Sequence, residues 1–474
     1  MDGLECSEIN ISELERTLRI DAEFYQKSNL NIMSFLEKKE IQPFTQSFLI
    51  SDGNHMSISE SFCEIGIPYY RGQDIYNVFI EESSPICIDE KTFQHPHMMR
   101  SHLKRGDVLM SIVGAIIGNS AIVSENRDST CSCKLAIMRS RMTEIFPEVL
   151  LVFIKTKYGQ NQIQKFKRGT AQTGLLLEDF NQLFIPKFTE AFQENICQIV
   201  REAHKSTLLS KKIYDEAQDI LQEELGLKAK EIPKENMSEQ KFSESFSVSG
   251  RLDAEYYQPK YDYILSQIYN YDSNAKKLSD IANYISTGEY SDSYYLAESV
   301  PDLSYYIRGT DIDSGFVKQD ASHCVISSDF KKFVVENDII TGRVGTIGKF
   351  GMIDASLAGS VYSDNILCFH LPENYLPDVY ALYFNNSIIQ ELIKRLSRGS
   401  VQQRLNQETL REIIVPNICL DVQSGISVKI QKSFKMRMKA EKLIQIANKS
   451  MELAIEKDEK VAIDWLSTNN ELWE

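Results

Sequence analysis

The strongest constraint on the fold of this chain is an internal duplication. Residues 19–26 (RIDAEFYQ) return as RLDAEYYQ at 251–258 in a chain of 474 residues. Further matches follow in the same order, at 69–75 and 305–312, 106–109 and 337–340, 113–114 and 344–345, 167–172 and 397–402, and 185–186 and 415–416. Ordered matches at nearly one offset predict two homologous halves with the same architecture.

Each half is predicted to begin with a strand-rich domain and to end in a long helix. Residues 107–114 and 338–345 are apolar runs that end in glycine turns, which is typical of strands. They predict a compact, β-rich domain in each half, so the expected fold class is α/β (α+β). After the Ile-Pro and Val-Pro pairs, residues 191–225 and 421–455 lack proline and contain glycine only at Gly425, which favours helix.

The two predicted helices carry a narrow apolar seam. Apolar or small residues alternate gaps of four and three, and the pattern recurs in the second helix with one charged exception, Arg437. The seam consists of Ile196, Val200, Ala203, Thr207, Ser210, Tyr214, Ala217 and Leu221, and of Ile426, Ile430, Ser433, Arg437, Ala440, Ile444, Ala447 and Met451. A helix packed only on its own domain would show a wider apolar face, so the seam favours an antiparallel coiled coil of helices roughly 50 Å long. We expect Ile196, Val200, Tyr214 and Leu221 to face Ile426, Ile430, Ile444 and Met451 in reversed order.

These patterns divide the chain into six segments. The predicted boundaries are a first domain at 1–187, a first helix at 188–230, a linker at 231–250, a second domain at 251–417, a second helix at 418–456 and a tail at 457–474. The linker has the Ser, Glu and Lys content of a segment without its own core. The acidic tail is either a docking segment or a frayed end.

Charge and composition exclude several classes of protein. The formal net charge of −15 argues against binding nucleic acid or membrane by bulk charge, so DNA contact would require a local basic surface. The N-terminus has acids where a signal peptide is basic, and no run of 18 apolar residues occurs. We therefore expect a soluble, cytoplasmic protein without a membrane segment. The nine cysteines form no CxxC pair and are expected to be ordinary reduced thiols.

Motifs for catalysis are missing from the sequence. It has no Pro-Pro pair, which an amino-methyltransferase loop would require, and no HExxH motif or nucleophile elbow. The glycines at 342, 345, 348 and 351 lack the spacing of a phosphate-binding loop, because Lys349 is followed by Phe350. We therefore predict that this chain has no catalytic residue, no metal site and no cofactor. An enzyme with a cryptic nuclease or transferase site is the least favoured alternative.

Local basic surfaces offer an acidic chain a way to bind DNA. Residues 91–106, 149–177 and 392–407 contain no acid, which a surface that contacts phosphates requires. Residues 284–306 are instead acidic and rich in tyrosine. A solvated face without a ligand is the alternative for each basic stretch, and an ion pair with Asp74 is the alternative for Arg71. The candidate DNA-binding residues are Arg71, Lys104, Arg105, Lys165, Lys167, Arg168, Arg308, Arg398, Gln402, Gln403 and Arg404.

This arrangement resembles the specificity subunits of Type I restriction-modification systems. The resemblance rests on the paired openings at 19–26 and 251–258, the Gly-Asp and Asn-Asp turns at 106 and 337, the RG[TS]xQ loops at 168–172 and 398–402, and the Ile-Pro and Val-Pro exits. It covers essentially the whole chain, and its specificity lies in the duplicated order of the motifs. It implies two target-recognition domains that each bind one half of a bipartite DNA sequence, with the two helices as spacer and docking surface.

The resemblance also implies partners. These are double-stranded DNA, two adenine methyltransferase subunits that bind S-adenosylmethionine, and a motor nuclease subunit that could join them. The chain itself would have no catalytic activity. The alternative is a helical adaptor or phage-defence scaffold that keeps the duplicated fold and binds only protein. Such a scaffold would show no salt-dependent DNA affinity.

Overall fold

The structure of the chain is a computed structural model. It describes residues 6–14, 20, 22, 24–141, 145–168, 173–235, 237–243, 245–297, 299–343, 348–396 and 405–468. The chain forms two compact units. Unit 1 consists of Met1–Leu208 and Arg437–Glu474, and unit 2 consists of Leu209–Met436. Each unit therefore combines a β-rich domain with part of both long helices.

The β-rich domain of unit 1 is built from short strands. Its strands are β1 (Ile41–Pro43), β2 (Phe48–Asp52), β3 (Phe62–Cys63), β4 (Ile67–Tyr70), β5 (Ile86–Ile88), β6 (Val108–Ser111), β7 (Ser120–Ile122), β8 (Thr130–Cys131), β9 (Leu135–Ser140) and β10 (Phe184–Pro186). Its helices are α1 (Lys27–Leu36), α2 (Phe44–Ser47), α3 (Glu90–Phe93), α4 (Pro147–Lys155), α5 (Lys157–Phe166) and the first part of α6 (Glu190–Glu224).

Two four-stranded sheets and one strand pair organise this domain. One sheet has the order β2-β9-β6-β7, the other has the order β3-β5-β4-β8, and β1 pairs with β10. Every residue of β6 is buried, and so are the six successive residues Val149–Ile154 of α4. Because Pro147 occupies the first turn of α4, where it replaces no helical hydrogen bond, the helix begins there and packs on the sheet.

Unit 2 repeats this architecture. Its strands are β11 (Lys276–Lys277), β12 (Tyr284–Thr287), β13 (Leu303–Ile307), β14 (Ile312–Asp313), β15 (Gly315–Val317), β16 (Cys324–Ile326), β17 (Ile339–Gly342), β18 (Phe350–Met352), β19 (Val361–Tyr362), β20 (Ile366–His370) and β21 (Ile414–Val415). Its helices are α7 (Phe246–Ser249), α8 (Pro259–Tyr271), α9 (Leu278–Ile281), α10 (Pro377–Asn385), α11 (Ser387–Leu396), α12 (Gln407–Arg411) and the first part of α13 (Leu420–Glu456). The sheet orders are β12-β20-β17-β18-β15-β14, β16-β13-β19 and β11-β21.

The duplication extends to backbone register. Val108 of β6 lies opposite Met138 of β9, just as Ile339 of β17 lies opposite Phe369 of β20. β4 pairs parallel with β8, and β13 pairs parallel with β19 in the same way. The repeat detected in the sequence is therefore also a repeat of strand pairing.

Buried amide side chains repeat as well. Gln193 accepts a hydrogen bond from the backbone N–H of Phe146 at 3.0 Å. Gln423, at the equivalent position, accepts one from the N–H of Leu376 at 2.7 Å. Each bond satisfies a free N–H at the start of a helix, α4 in unit 1 and α10 in unit 2. The same local solution therefore ties a long helix to the domain in both units.

The two long helices pack antiparallel within unit 2. The hydroxyls of Ser210 and Ser433 share a hydrogen bond at 3.0 Å, and Lys429 Nζ donates to Glu216 Oε2 at 2.8 Å. The residue number therefore rises along one helix as it falls along the other. Ala217, Leu221, Ile426 and Ile430 are fully buried in the same core, and Tyr214 packs against it.

The other ends of the helices meet in unit 1. Ile196, Val200 and Ala203 share a buried core with Ala440, Ile444, Ala447 and Met451. Lys439 Nζ lies 4.0 Å from Glu202 Oε1. The charged exception in the seam, Arg437, lies 3.8 Å from Glu441 one turn along its own helix, which places its charge beside a carboxylate.

The described part of the tail docks on unit 1. Helix α14 (Glu459–Thr468) buries Ala462 and Leu466 in the unit 1 core, at 0% and 2% exposure. Glu459 accepts a hydrogen bond from the N–H of Thr189 at the start of α6. Of the two expectations for the tail, docking is therefore what residues 457–468 show.

No helix within the described ranges is long and apolar enough to cross a membrane.

Candidate nucleic-acid interface

Three loops meet at one edge of unit 1, at the end of β6. A Cβ at Gly72 would lie 3.3 Å from Oγ of Ser111, so the turn after β4 touches the end of β6. The N–H of Gly114 donates to the carbonyl of Thr173 at 2.9 Å, and the N–H of Leu175 donates to the carbonyl of Ile112 at 2.9 Å. We call this region, made of residues 71–72, 111–114, 132–135 and 173–175, the loop edge of unit 1.

Unit 2 has an equivalent loop edge, made of residues 308–309, 342–343, 363–366 and 405. The N–H of Leu405 donates to the carbonyl of Arg343 at 3.1 Å, which repeats the bond between Leu175 and Ile112. The N–H of Arg343 donates to the carbonyl of Asn365 at 2.8 Å, which repeats the bond from Ile112 to Lys134. The duplicated sequence therefore produces the same loop junction twice.

Arg71 begins the turn of the unit 1 loop edge and binds within that turn. The short 3₁₀ helix Gly72–Asp74 is closed by Asp74, which accepts the backbone N–H of Arg71 at 2.8 Å. The same carboxylate accepts Nε of Arg71 at 3.2 Å. The side chain of Arg71 is 34% exposed, while that of Asp74 is 9% exposed. The ion pair considered as the alternative for Arg71 is therefore present.

Arg308 is held by more partners than Arg71. Its Nη2 donates to Asp311 at 3.0 Å and to Asp320 at 2.6 Å. Its Nη1 lies 2.7 Å from Nε2 of His323. Its backbone N–H binds Asp311 as that of Arg71 binds Asp74. Both arginines therefore stabilise the turns that they begin.

The basic group at 165–168 is spread over a helix end and an ion pair. Lys165 lies in the last turn of α5, with Nζ 4.1 Å from the ring centre of Phe24, and Lys167 caps that helix. Arg168 is paired with Asp179, whose side chain is 1% exposed. The acid that neutralises Arg168 lies just beyond the acid-free stretch, so the sequence window alone did not include it.

Lys104 and Arg105 lie away from the loop edge. They are exposed in the turn that precedes β6, so the length of that strand, about 10 Å for four residues, separates them from Ser111. Arg105 lines a cavity of about 70 Å³ together with Arg201 and His204 of α6. The structure therefore places Arg105 beside the long helix and both residues apart from Arg71.

Four of the predicted residues cannot be placed. Arg398, Gln402, Gln403 and Arg404 lie outside the described residues. Leu405, the first described residue after them, lies at the end of β17 through its bond to Arg343.

Two basic residues at the loop edges were missed by the sequence argument. Lys134 is exposed in the turn between β8 and β9, and the N–H of Ser132 in the same turn donates to the carbonyl of Tyr70, next to Arg71. Arg343 directly follows β17, and its Nη1 donates to the carbonyl of Asp364 at 3.0 Å. Both residues lie in shorter acid-free stretches, 129–143 and 339–353, which the sequence argument did not consider. Aligning the two halves places Lys134 opposite Asn365 and Arg343 opposite Ile112, so each basic residue occurs in one half only.

A buried carboxylate supports β6 and β17 at the end opposite the loop edge. Asp107, 1% exposed, accepts two hydrogen bonds from Arg139, and this bonding raises the pKa of the guanidinium. In unit 2, Asp338 accepts from Tyr284 and lies 2.9 Å from Nδ1 of His370. Burial and the bond to Asp338 raise the pKa of Tyr284, so its hydroxyl stays a neutral donor. These pairs fix strands and do not point to a reaction.

The described residues contain no group of three His, Cys, Asp or Glu side chains suited to a metal ion. The loop edges present groups that form hydrogen bonds and charge contacts. An exposed lysine, partly exposed arginines and backbone groups at loop ends are the groups that contact phosphates and base edges.

Comparison with known proteins gives the following matches. A Type I restriction-modification system S subunit from M. genitalium is 12% identical, covers 88% of this chain and 95% of its own, and gives a TM-score of 0.38. The HsdS subunit from Thermoanaerobacter tengcongensis is 14% identical, covers 88% and 97%, and gives a TM-score of 0.30. No curated protein sequence matches the chain.

A family model matches most of the second half. Residues 270–448 match the Type I restriction modification DNA specificity domain. This range contains β11 to β21, the complete loop edge of unit 2 and most of α13. The second half of the chain is thus similar to a Type I restriction modification DNA specificity domain, and the first half repeats the architecture of the second.

Proposed function

We propose that this chain is the DNA-recognition subunit of a Type I restriction-modification complex. In this proposal each loop edge reads one half of a bipartite DNA target. The chain contributes recognition and no chemistry, and it works with two adenine methyltransferase subunits that bind S-adenosylmethionine. Motor nuclease subunits are further partners in the same assembly.

The observation that carries the proposal is the duplicated loop edge. One copy lies inside the matched DNA specificity domain, and the other copy has the same hydrogen bonds between the same loop positions. A chain with two equivalent recognition surfaces is suited to a target with two half-sites. The exposed Lys134 gives the first surface a cation that no described acid neutralises, although the chain as a whole is acidic.

DNA binding is tested by titration over a range of salt concentrations. Duplexes selected from a random library should bind with an affinity that falls steeply with salt, because lysines and arginines displace counterions from phosphates. Lys134→Ala should weaken binding to every sequence and lower the slope against log salt by about one. Lys460→Ala, which removes an exposed lysine from α14, outside the basic stretches and the loop edges, is the matched control. A protein that binds no DNA at low salt, alone or with a methyltransferase partner, would be the scaffold of the alternative hypothesis.

Partner docking is supported by exposed apolar side chains on the long helices. Leu208 on α6 and Met438 on α13 occupy equivalent positions, and they are 41% and 66% exposed. Two equivalent apolar positions fit two copies of one partner. Sedimentation of the chain with a methyltransferase should show two bound copies, and Leu208→Glu or Met438→Glu should weaken binding. Lys211→Gln, on the same helix as Leu208, lowers the net charge by the same one unit and is the control.

The absence of catalysis is tested directly. Purified chain with labelled S-adenosylmethionine and selected DNA should transfer no methyl group above background. Transfer that persists in preparations free of any methyltransferase would contradict the proposal.

A further inference from the structure

Two free cysteines lie directly opposite each other on neighbouring strands of unit 1. In the antiparallel pairing of β3 with β5, Cys63 is the partner of Cys87. Both are free thiols, and Cys63 is exposed while Cys87 is partly exposed. Opposite residues of an antiparallel pair project from the same face of the sheet, so the two thiols are neighbours.

The spacing of such a pair suits a disulfide. The backbone N–H of Asp89 donates to the carbonyl of Ser61, so these two residues are a hydrogen-bonded pair of the neighbouring strands. Hydrogen-bonded and non-hydrogen-bonded pairs alternate along antiparallel strands, so Cys63 and Cys87, two residues further along, are also a hydrogen-bonded pair. Cα atoms of a hydrogen-bonded pair lie about 5.5 Å apart, within the range of about 4.4 to 6.8 Å found in disulfides. β3 is a two-residue strand at the edge of its sheet, so it can shift by the small distance that bond formation requires.

Unit 2 provides an internal comparison. Cys324 occupies the position equivalent to Cys87, but its opposite residue is Tyr295. The two exchange backbone hydrogen bonds of 2.8 and 3.0 Å, as a hydrogen-bonded pair does. The backbone arrangement is therefore present in both units, and the pair of thiols occurs only in the first.

We propose that Cys63 and Cys87 form a reversible disulfide on reaction with a low-molecular-weight disulfide such as glutathione disulfide. The thiolate of the exposed Cys63 attacks one sulfur of glutathione disulfide and releases one glutathione thiolate. The thiolate of Cys87 then attacks the Sγ of Cys63 and releases the second. The two protein thiols lose two electrons and two protons, and one glutathione disulfide becomes two glutathione molecules.

The site closes a loop that contains the Arg71 turn. Residues between the two cysteines include β4 and the short helix Gly72–Asp74, so the bond would restrain the base of the unit 1 loop edge. Reversible disulfides of this kind are the redox-sensing type found in reducing compartments. The cross-link itself does not depend on the proposed function.

Mass spectrometry tests the proposal. Folded full-length protein is treated with glutathione disulfide, alkylated, unfolded and digested with trypsin, which separates Cys63 in peptide 40–71 from Cys87 in peptide 72–91. We expect these two peptides to be joined, and at least about tenfold more of this cross-link in folded protein than in guanidinium chloride. Exposed Cys419, which has no opposite cysteine, should carry glutathione instead.

Variants make the result decisive. In Cys63→Ser and Cys87→Ser the cross-link should disappear, and the remaining thiol should carry glutathione. Tyr295→Cys should create a new link between peptides 278–308 and 319–331, since it places a thiol opposite Cys324. Glutathione on both Cys63 and Cys87 without a cross-link would overturn the proposal. Equal amounts of cross-link in folded and unfolded protein would overturn it as well.

Discussion

Arg71 and Arg308, one at each loop edge, bind nearby carboxylates. Arg71 contacts Asp74, and Arg308 contacts Asp311 and Asp320. To contact a guanine, an arginine that already binds a carboxylate must first break those bonds. The free energy lost in breaking them offsets part of the free energy gained from the new contact. At the residue scale, these arginines are therefore best described as groups that position the turn.

This role predicts coupled effects of Arg71 and Asp74. Arg71→Ala and Asp74→Ala should each weaken DNA binding, and the double variant should be little worse than either one, because all three lose the same turn. Sequence preference should stay unchanged in binding to a randomised half-site library. A preference altered at one base position by Arg71→Ala, but not by Asp74→Ala, would instead identify Arg71 as a base-reading residue.

Lys155 illustrates how a single position differs between the two units. At the equivalent position, Asn385 forms two hydrogen bonds with the backbone of Phe350, at 2.9 and 2.7 Å. Lys155 instead places its side-chain amine at the end of α4, where burial lowers the pKa of that amine to about 8. In the unfolded chain the amine of Lys155 keeps its proton up to about pH 10.4. The free energy of unfolding should therefore rise as the pH increases from about 8 to about 10.4.

Lys155→Asn should remove this cost. At pH 7 we expect the free energy of unfolding to increase by about 1 to 3 kcal/mol, because the charged amine is no longer buried. The difference between variant and wild type should shrink as the pH is raised from 8 to 10, which urea titrations at each pH measure. Comparison with wild type cancels the contribution of tyrosines that titrate in the same range. A difference independent of pH would contradict the assignment.

At the element scale, the long helices show what a heptad seam determines. Its apolar positions are buried apart from the partly buried Tyr214, and Ile196, Leu221 and Ile426 are at 0% exposure. The polar seam positions Ser210 and Ser433 are partners across the pair, while Arg437 pairs with Glu441 on its own helix. Narrow apolar stripes are sufficient because each helix also contacts a domain core, which supplies additional burial.

A matched pair of variants tests the seam. Leu221→Asp should lower the free energy of unfolding by several kcal/mol, roughly 3 or more, because it buries an unpaired charge. Ile220→Asp introduces the same charge one residue earlier, at a position 37% exposed, and should cost much less. Urea denaturation followed by circular dichroism measures both. Similar losses in the two variants would mean that the helices pack through another face.

At the scale of the whole molecule, the two ends of the chain belong to one unit. Helix α14 buries Leu466 in the core that also contains Phe24 and Leu36 of the first half. Unit 1 is therefore complete only when the C-terminal segment is present. The sequence left this open, since it allowed the tail to be either a docking segment or a frayed end.

Leu466→Ala should destabilise the first domain by about 2 to 4 kcal/mol, because it leaves a cavity in a shared core. Ser467→Ala, at the neighbouring exposed position, should change stability by less than about 0.5 kcal/mol. Hydrogen exchange of α1, α4 and β6 reports the effect where it is expected. Faster exchange confined to α14 in Leu466→Ala would show that the tail is not part of this core.

The sequence by itself determined the duplication, the strand-rich domains, the two long helices and the missing catalytic motifs. Local hydrophobic periodicity and the repeated order of motifs indicate these features, so they can be recognised without knowledge of any long-range contact. Only the tertiary structure decided which basic residues are committed to ion pairs, and which meet at the loop edges. Arg168 is paired with Asp179 across a loop, and Lys134 lies near Arg71 through the parallel pairing of β4 with β8. Such neighbours are set by chain folding over many residues, and no spacing rule in the sequence encodes them.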